Sequence, residues 1–140
     1  MTSNKLKSTL LLGLFLLIGS VSYGQVIKMR TSSIAYRYIS EYNDWTDWSD
    51  FEEVSALVVI DIDRERITIY TKETQVYDIV KYEGSEVDYE GDDIMSFFCV
   101  DDDGDACGID LVKLNSRNGQ NQLYVRFADL QFAYYVNVLD

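Results

Sequence analysis

Proline and histidine are absent from the 140 residues, cysteine occurs twice, and 12 basic side chains face 24 acids. Average usage would place about seven prolines in a chain of this length, so every turn falls to Gly, Asn, Asp and Ser. Without histidine there is no Ser-His-Asp or Cys-His catalysis, no imidazole proton shuttle and no His-ligated zinc or iron. A formal net charge of −12 repels phosphate backbones, which argues against a nucleic-acid partner. The apolar run Leu10–Ile18 is far shorter than the roughly 20 residues of a membrane-crossing helix.

That run has the setting of a secretory signal. Lys5 and Lys7 precede it, and the small-residue stretch Gly19-Ser20-Val21-Ser22-Tyr23-Gly24 follows, with Ser22 and Gly24 at the −3 and −1 positions of a cleavage site. Residues 1–24 are therefore read as a signal peptide and 25–140 as a single domain in the periplasm or outside the cell. No membrane span is expected once the leader is gone, and no cysteine near the cleavage site supports a lipid anchor. Removing Lys5 and Lys7 leaves ten bases against all 24 acids, or −14. Export to an oxidising compartment lets disulfides persist.

Beyond the leader the helical period is almost missing and a two-residue alternation recurs. Ile67–Tyr70, Val76–Tyr82, Ile94–Val100, Ile109–Leu114, Leu123–Phe127 and Phe132–Leu139 read as strands rich in β-branched and aromatic residues. Val26–Ile39 is longer and loses its alternation near Ser32-Ser33, the sign of a bulge or of two short strands. Val54–Ile62 is nearly continuous apolar and reads as the most buried strand. The fold class is all-β: a meander of about eight antiparallel strands closed into a small lipocalin-like barrel, with a β-sandwich as the alternative. A transmembrane barrel fits less well, because the strands are mostly short and Lys81, Asp110 and Arg126 lie in or beside them.

Two turns carry mechanism. Asn118-Gly119, between Leu111–Arg117 and Gln120–Phe127, predicts a two-residue type I′ hairpin, which needs positive φ at both positions. Asp102-Asp103-Gly104 predicts a three-residue loop with Gly104 left-handed. That loop pairs Asp101 with Asp105, Val100 with Ala106 and Cys99 with Cys107, so a disulfide between the two cysteines is expected as a short staple.

The segment Glu41–Phe51 repeats Asp-aromatic-Ser/Thr with a period of three. The period predicts a 3₁₀ or short helical turn with Trp45, Trp48 and Phe51 on one side. Its functional reading is a rim over the barrel mouth, with the aromatics stacking on a sugar or capping an apolar ligand beside the acceptors Asp44 and Asp47. Its structural reading is a plug of tryptophan at one end of the core. Asp101–Asp105 departs from the EF-hand pattern at its sixth and twelfth positions, Ala106 and Val112, so no metal site is assigned. Glu83–Asp93 reads as an acidic loop. No phosphate loop or nucleophile elbow occurs, no catalytic residue is assigned, and no cofactor is expected.

The succession Trp45-Thr46-Asp47-Trp48, Val58–Asp61, Arg66–Tyr70 and Gln75–Ile79, with a leader ending Tyr23-Gly24-Gln25, resembles small exported all-β proteins of Bacteroidota. That group is functionally uncharacterised, so the resemblance implies a fold and an exported location and carries no site residues. The function expected is an exported, non-catalytic binding module for a small ligand. The alternative is an inhibitor-like interaction protein whose acidic surface meets a basic protein partner. A monomer is expected in either case.

Overall fold

The computed structural model describes residues 26–139; the leader expected over residues 1–24 lies outside them. Nine strands follow one another: β1 Val26–Tyr38, β2 Glu52–Glu53, β3 Leu57–Asp61, β4 Arg66–Tyr70, β5 Thr74–Val87, β6 Asp93–Asp101, β7 Ala106–Leu114, β8 Gln120–Arg126 and β9 Leu130–Val138. From β3 to β9 each strand pairs antiparallel with the next. β1 closes the ring between β3 and β9, and β2 is an extra short strand beside β1. The result is the expected all-β architecture, a closed eight-stranded antiparallel barrel. Among the described residues no helix is long and apolar enough to cross a membrane.

Alternation decides which side of each strand turns inward. Met29, Ile60, Ile69, Met95, Phe97, Ile109, Leu111 and Leu123 are fully buried and Tyr134 nearly so, and they belong to one cluster that fills the barrel. β1 could not keep this alternation over 13 residues without help. A bulge between Thr31 and Ser33 resets its phase, as the broken pattern near Ser32-Ser33 anticipated. The Thr31 hydroxyl spans the gap between β2 and β3, accepting from the Ala56 amide at 2.8 Å and donating to the Val54 carbonyl at 2.9 Å.

The Asp101–Asp105 loop forms as read. Gly104 has φ +84°, and Val100 faces Ala106 and Cys99 faces Cys107. The cysteines, however, are free thiols rather than the expected disulfide. The bond from the Asp101 amide to the Asp105 carbonyl fixes the ladder phase, so that Cys99 and Cys107 two residues on form a hydrogen-bonded pair. Cβ atoms in such pairs stand near the wide end of about 4.5–5.5 Å, whereas a disulfide needs about 3.8 Å. The pair therefore packs as two small apolar side chains, and burial pushes both thiols up, Cys107 to about 11.

Two loops differ from expectation. Asn118 and Gly119 do take positive φ, 61° and 75°, but β7 ends at Leu114 and a 3₁₀ turn over Asn115–Arg117 lengthens the connection to five residues. The cause is Asp92, whose carboxylate accepts from the Ser116 amide at 2.9 Å and its hydroxyl at 2.8 Å. Asn115 also donates to the Gly91 carbonyl, so the turn is pulled sideways out of the ladder. The acidic stretch Glu83–Asp93 is likewise only partly a loop: Gly84 to Val87 pair with β6 as the end of β5, leaving residues 88–92 as the turn.

Candidate functional site

The Asp-aromatic-Ser/Thr repeat does not build a helical turn. Residues 46–51 run extended alongside β1 as a strap. Thr46 donates its amide to the Tyr38 carbonyl at 2.8 Å, and its hydroxyl accepts the Tyr38 amide at 3.1 Å. Ser49 does the same for Tyr36, at 2.8 and 2.9 Å. Glu52 then pairs with Ile34. Three strap residues thus advance past two residues of β1, a succession of bulges in which a hydroxyl replaces the ladder carbonyl. Hydroxyls at the third position of each triplet make this register work, and the period of three is its trace in the sequence.

Since β1 turns the same face outward every second residue, each triplet delivers one aromatic to the next outward position. The strap thus continues the sheet along the edge of β1 that β3 has left, with Trp48 and Phe51 on the outer face against Tyr124 and Tyr135. Cross-strand register arranges three outward rows there: Arg37, Gln131, Arg126 and Gly108; then Ala35, Ala133, Tyr124 and Asp110; then Ser33, Tyr135, Gln122, Val112 and Ile94. In the first row the Arg37 guanidinium lies 5.0 Å from the Trp45 ring centroid and 4.9 Å from that of Trp48, while its Nε donates to Gln131 Oε1 at 2.8 Å. Trp48 meets Tyr124 edge-on at 6.2 Å, in the same row as Ala35 and Ala133, which are buried although they face outward. Phe51 packs on Tyr135 at 4.9 Å.

Arg126 is fixed on the opposite flank. It grips Asp110 with two bonds, Nε to Oδ2 at 2.8 Å and Nη2 to Oδ1 at 3.0 Å, the fork geometry that guanidinium and carboxylate share. This bonding raises the Arg126 pKa. Gly108 permits the arrangement, because a Cβ at that position would stand 2.7 Å from Arg126 Nη2. Tyr124 donates its hydroxyl to Gln122 Oε1 at 2.5 Å, and burial raises its pKa.

Between the strap and the 88–92 turn, Gln131, Arg126, Tyr124, Asp110, Gln122, Val112 and Ile94 from these rows floor a groove of about 490 Å³. Ile94, Val112 and Leu114 supply its apolar part; Trp48 and Arg37 wall one side, and Asp88, Tyr89 and Glu90 the other. The turn is pinned by Asp88 Oδ1, which accepts the Glu90 and Asp92 amides at 2.9 and 3.0 Å. Charged and amide side chains outnumber apolar ones along this open groove, so it has the volume of a small-molecule site and a more polar lining than most.

Of the residues singled out from sequence, Trp48 lines this groove, Trp45 adjoins it through Arg37, and Phe51 sits farther along the strap on Tyr135. Asp44 and Asp47 are exposed, and among the described residues their carboxylates carry no hydrogen bond or ion pair. Sequence reading missed Arg37, Gln131, Tyr124, Arg126 and Asp110. Their signal was there in part: Ala35 and Arg37 alternate with Ile34 and Tyr36, which marks an outward face, but only the pairing of β1 with β9 and β8 assembles the rows. Away from the groove, Asp101, Asp103 and Asp105 bring carboxylate oxygens within 4.8 Å of one another at a hairpin tip, where Asp101 Oδ1 already accepts two backbone amides. Compared with known proteins, the chain matches no family model, no curated protein and no solved structure.

Proposed function

We propose that the protein is an exported, non-catalytic binding module that holds a small ligand in the outer groove instead of the barrel interior. The observation that carries this reading is the groove itself: about 490 Å³ of space whose polar walls are already fixed by Arg37–Gln131, Arg126–Asp110 and the Asp88 turn. Groups held in place before the ligand arrives lose little freedom on binding, which favours affinity. Three of the four groove carboxylates, Asp110, Asp92 and Asp88, are engaged by a guanidinium, a serine and backbone amides, which suits holding a ligand better than moving protons.

Ligand-observed NMR against a metabolite and glycan library tests the proposal. Hits should vanish when Leu114→Trp fills the groove floor and persist when Ser33→Tyr fills the separate hollow beside Tyr135 and Asn137. A library whose hits ignore Leu114→Trp would overturn the reading. Salt-sensitive retention of basic proteins, lost on neutralising Asp101, Asp103 and Asp105, would favour the acidic-surface alternative.

A further inference from the structure

We infer that the groove takes a neutral, polyhydroxylated ligand, a short oligosaccharide. This inference rests on the proposed binding role of the groove and names its ligand class.

The lining carries both signs of charge, but most of it is already compensated. Arg126 is paired with Asp110, and Arg37 lies between two indole rings with its Nε on Gln131. Asp92 is held by Ser116, and Asp88 by two backbone amides. Arg117 and Glu90, the latter met only by the neighbouring Tyr89 hydroxyl, are the lining charges left over, one of each sign. An anion would therefore gain one guanidinium while approaching a chain with twice as many acids as bases, and long-range repulsion slows and weakens such encounters. A cation would be drawn by that same field, but three of the four lining carboxylates are already bonded by Arg126, Ser116 and backbone amides, and it would also face three guanidiniums.

A wholly apolar ligand fails for a different reason. Covering the free valences of Gln122, Gln131, Arg37 and Asp110 without replacing their water leaves each unpaired, a penalty that apolar contact does not offset. What remains is a molecule that offers apolar faces and hydroxyl edges together. The C–H faces of a sugar ring suit Trp48, Tyr124 and the Val112–Leu114 floor, and its hydroxyls donate and accept at once. The planar amide and guanidinium–carboxylate groups around the floor present pairs of donors and acceptors at fixed spacing, which neighbouring ring hydroxyls can satisfy two at a time.

The test combines an array of neutral glycans with calorimetric titrations of the purified protein by maltotriose, cellotriose, chitotriose, trigalacturonate, trilysine and decanoate. The expected result is saturable binding of a neutral glycan, nearly unchanged between about 0.05 and 0.5 M salt. Trp48→Ala and Asp110→Asn should each weaken it about tenfold or more, while Phe51→Ala, outside the groove, leaves it unchanged. Trp48→Phe serves should the alanine variant fail to fold, with a smaller loss expected. Binding of trigalacturonate, trilysine or decanoate that depends on Trp48, without neutral glycans, would overturn the saccharide assignment and leave the groove reading standing. Glycan binding indifferent to Trp48 and Asp110 would overturn the location. Silence across the array and all titrants would overturn the saccharide assignment outright.

Discussion

The inner and outer faces of the same strands solve opposite problems. On β7 and β8, Ile109, Leu111, Leu123 and Val125 point inward and are wholly buried, whereas Asp110, Val112, Gln122, Tyr124 and Arg126 point outward and form the groove. The inward set is interchangeable in chemistry and demanding in volume; the outward set is the reverse. A barrel of this size that fills its interior with Phe97, Met95, Met29 and Tyr134 has given its inside to stability. The charged and amide side chains sit on the outer wall, and a strap of aromatics turns that open wall into a recess.

The sharpest test of this division is Phe97→Ala. Phe97 is fully buried and meets Tyr82 at 5.7 Å, so truncation should cost about 3–5 kcal/mol through lost transfer energy and the cavity left behind. Tyr124→Ala on the outer face should cost about 1 kcal/mol. Urea denaturation of both measures the contrast, and equal losses would break it.

The buried thiols give a second handle on the interior. The Cys107 thiol is raised from 9.0 to about 11, chiefly by burial. Between those values the unfolded chain has released a proton that the folded protein still binds, so this contribution is complete below about pH 9 and drains away as pH rises to about 11. At about 1.4 kcal/mol per pKa unit, it is of order 3 kcal/mol at most. Stability curves of wild type and Cys107→Ala across this range should therefore converge with rising pH, and parallel curves would refute the assignment. Both thiols should also resist alkylation in the native protein near neutral pH, because the thiolate is the reactive form.

A smaller effect probes the outer wall. Thr46→Ala and Ser49→Ala each remove one acceptor from an exposed β1 amide, so each should cost about 0.5–1 kcal/mol. The local signature is more telling than the global one. Hydrogen exchange of the Tyr38 amide should accelerate in the first variant and that of Tyr36 in the second, while the core amides of β7 stay protected. Unchanged exchange at both positions would show that the hydroxyls do not hold the strap.

The contrast between faces also explains what was legible in the sequence. Most strand positions, the Ser32-Ser33 phase break and the Asp101–Asp105 register are local properties, set by alternation and by residues able to take positive φ, and they stand in the structure. Val54–Ile62, read as the most buried strand, shortens to Leu57–Asp61, which buries only alternate residues, because the Thr31 hydroxyl takes up the Val54 carbonyl and Ala56 amide. The disulfide failed because pairing in register does not bring Cβ atoms close enough. The Asn118-Gly119 turn grew because Asp92, more than twenty residues away, captures Ser116. The triplet repeat was visible, but a period of three fits a 3₁₀ turn or a three-for-two strap equally well, and only the partner strand decides between them. The groove was the least legible part, since its rows draw on β1, β9, β8 and β7 and exist only once the barrel has closed.

The smallest expected effect on stability is the one that bears most directly on the groove. In Gly108→Ala the new methyl group would lie 2.7 Å from Arg126 Nη2 and 3.0 Å from Cζ. The obstacle is the far end of a flexible side chain, so the backbone need not move and the guanidinium lifts away. Its ion pair with Asp110 is partly exposed, 41% on the arginine side, and such pairs contribute under about 1 kcal/mol. The melting temperature should therefore barely change, while the Arg126 Nε–H resonance shifts and the glycan binding we propose weakens, because the fork on Asp110 is no longer held in place. A large drop in stability would mean that the outer wall is packed as tightly as the interior. That result would erase the distinction between an inner face packed for stability and an outer face that we propose binds a ligand.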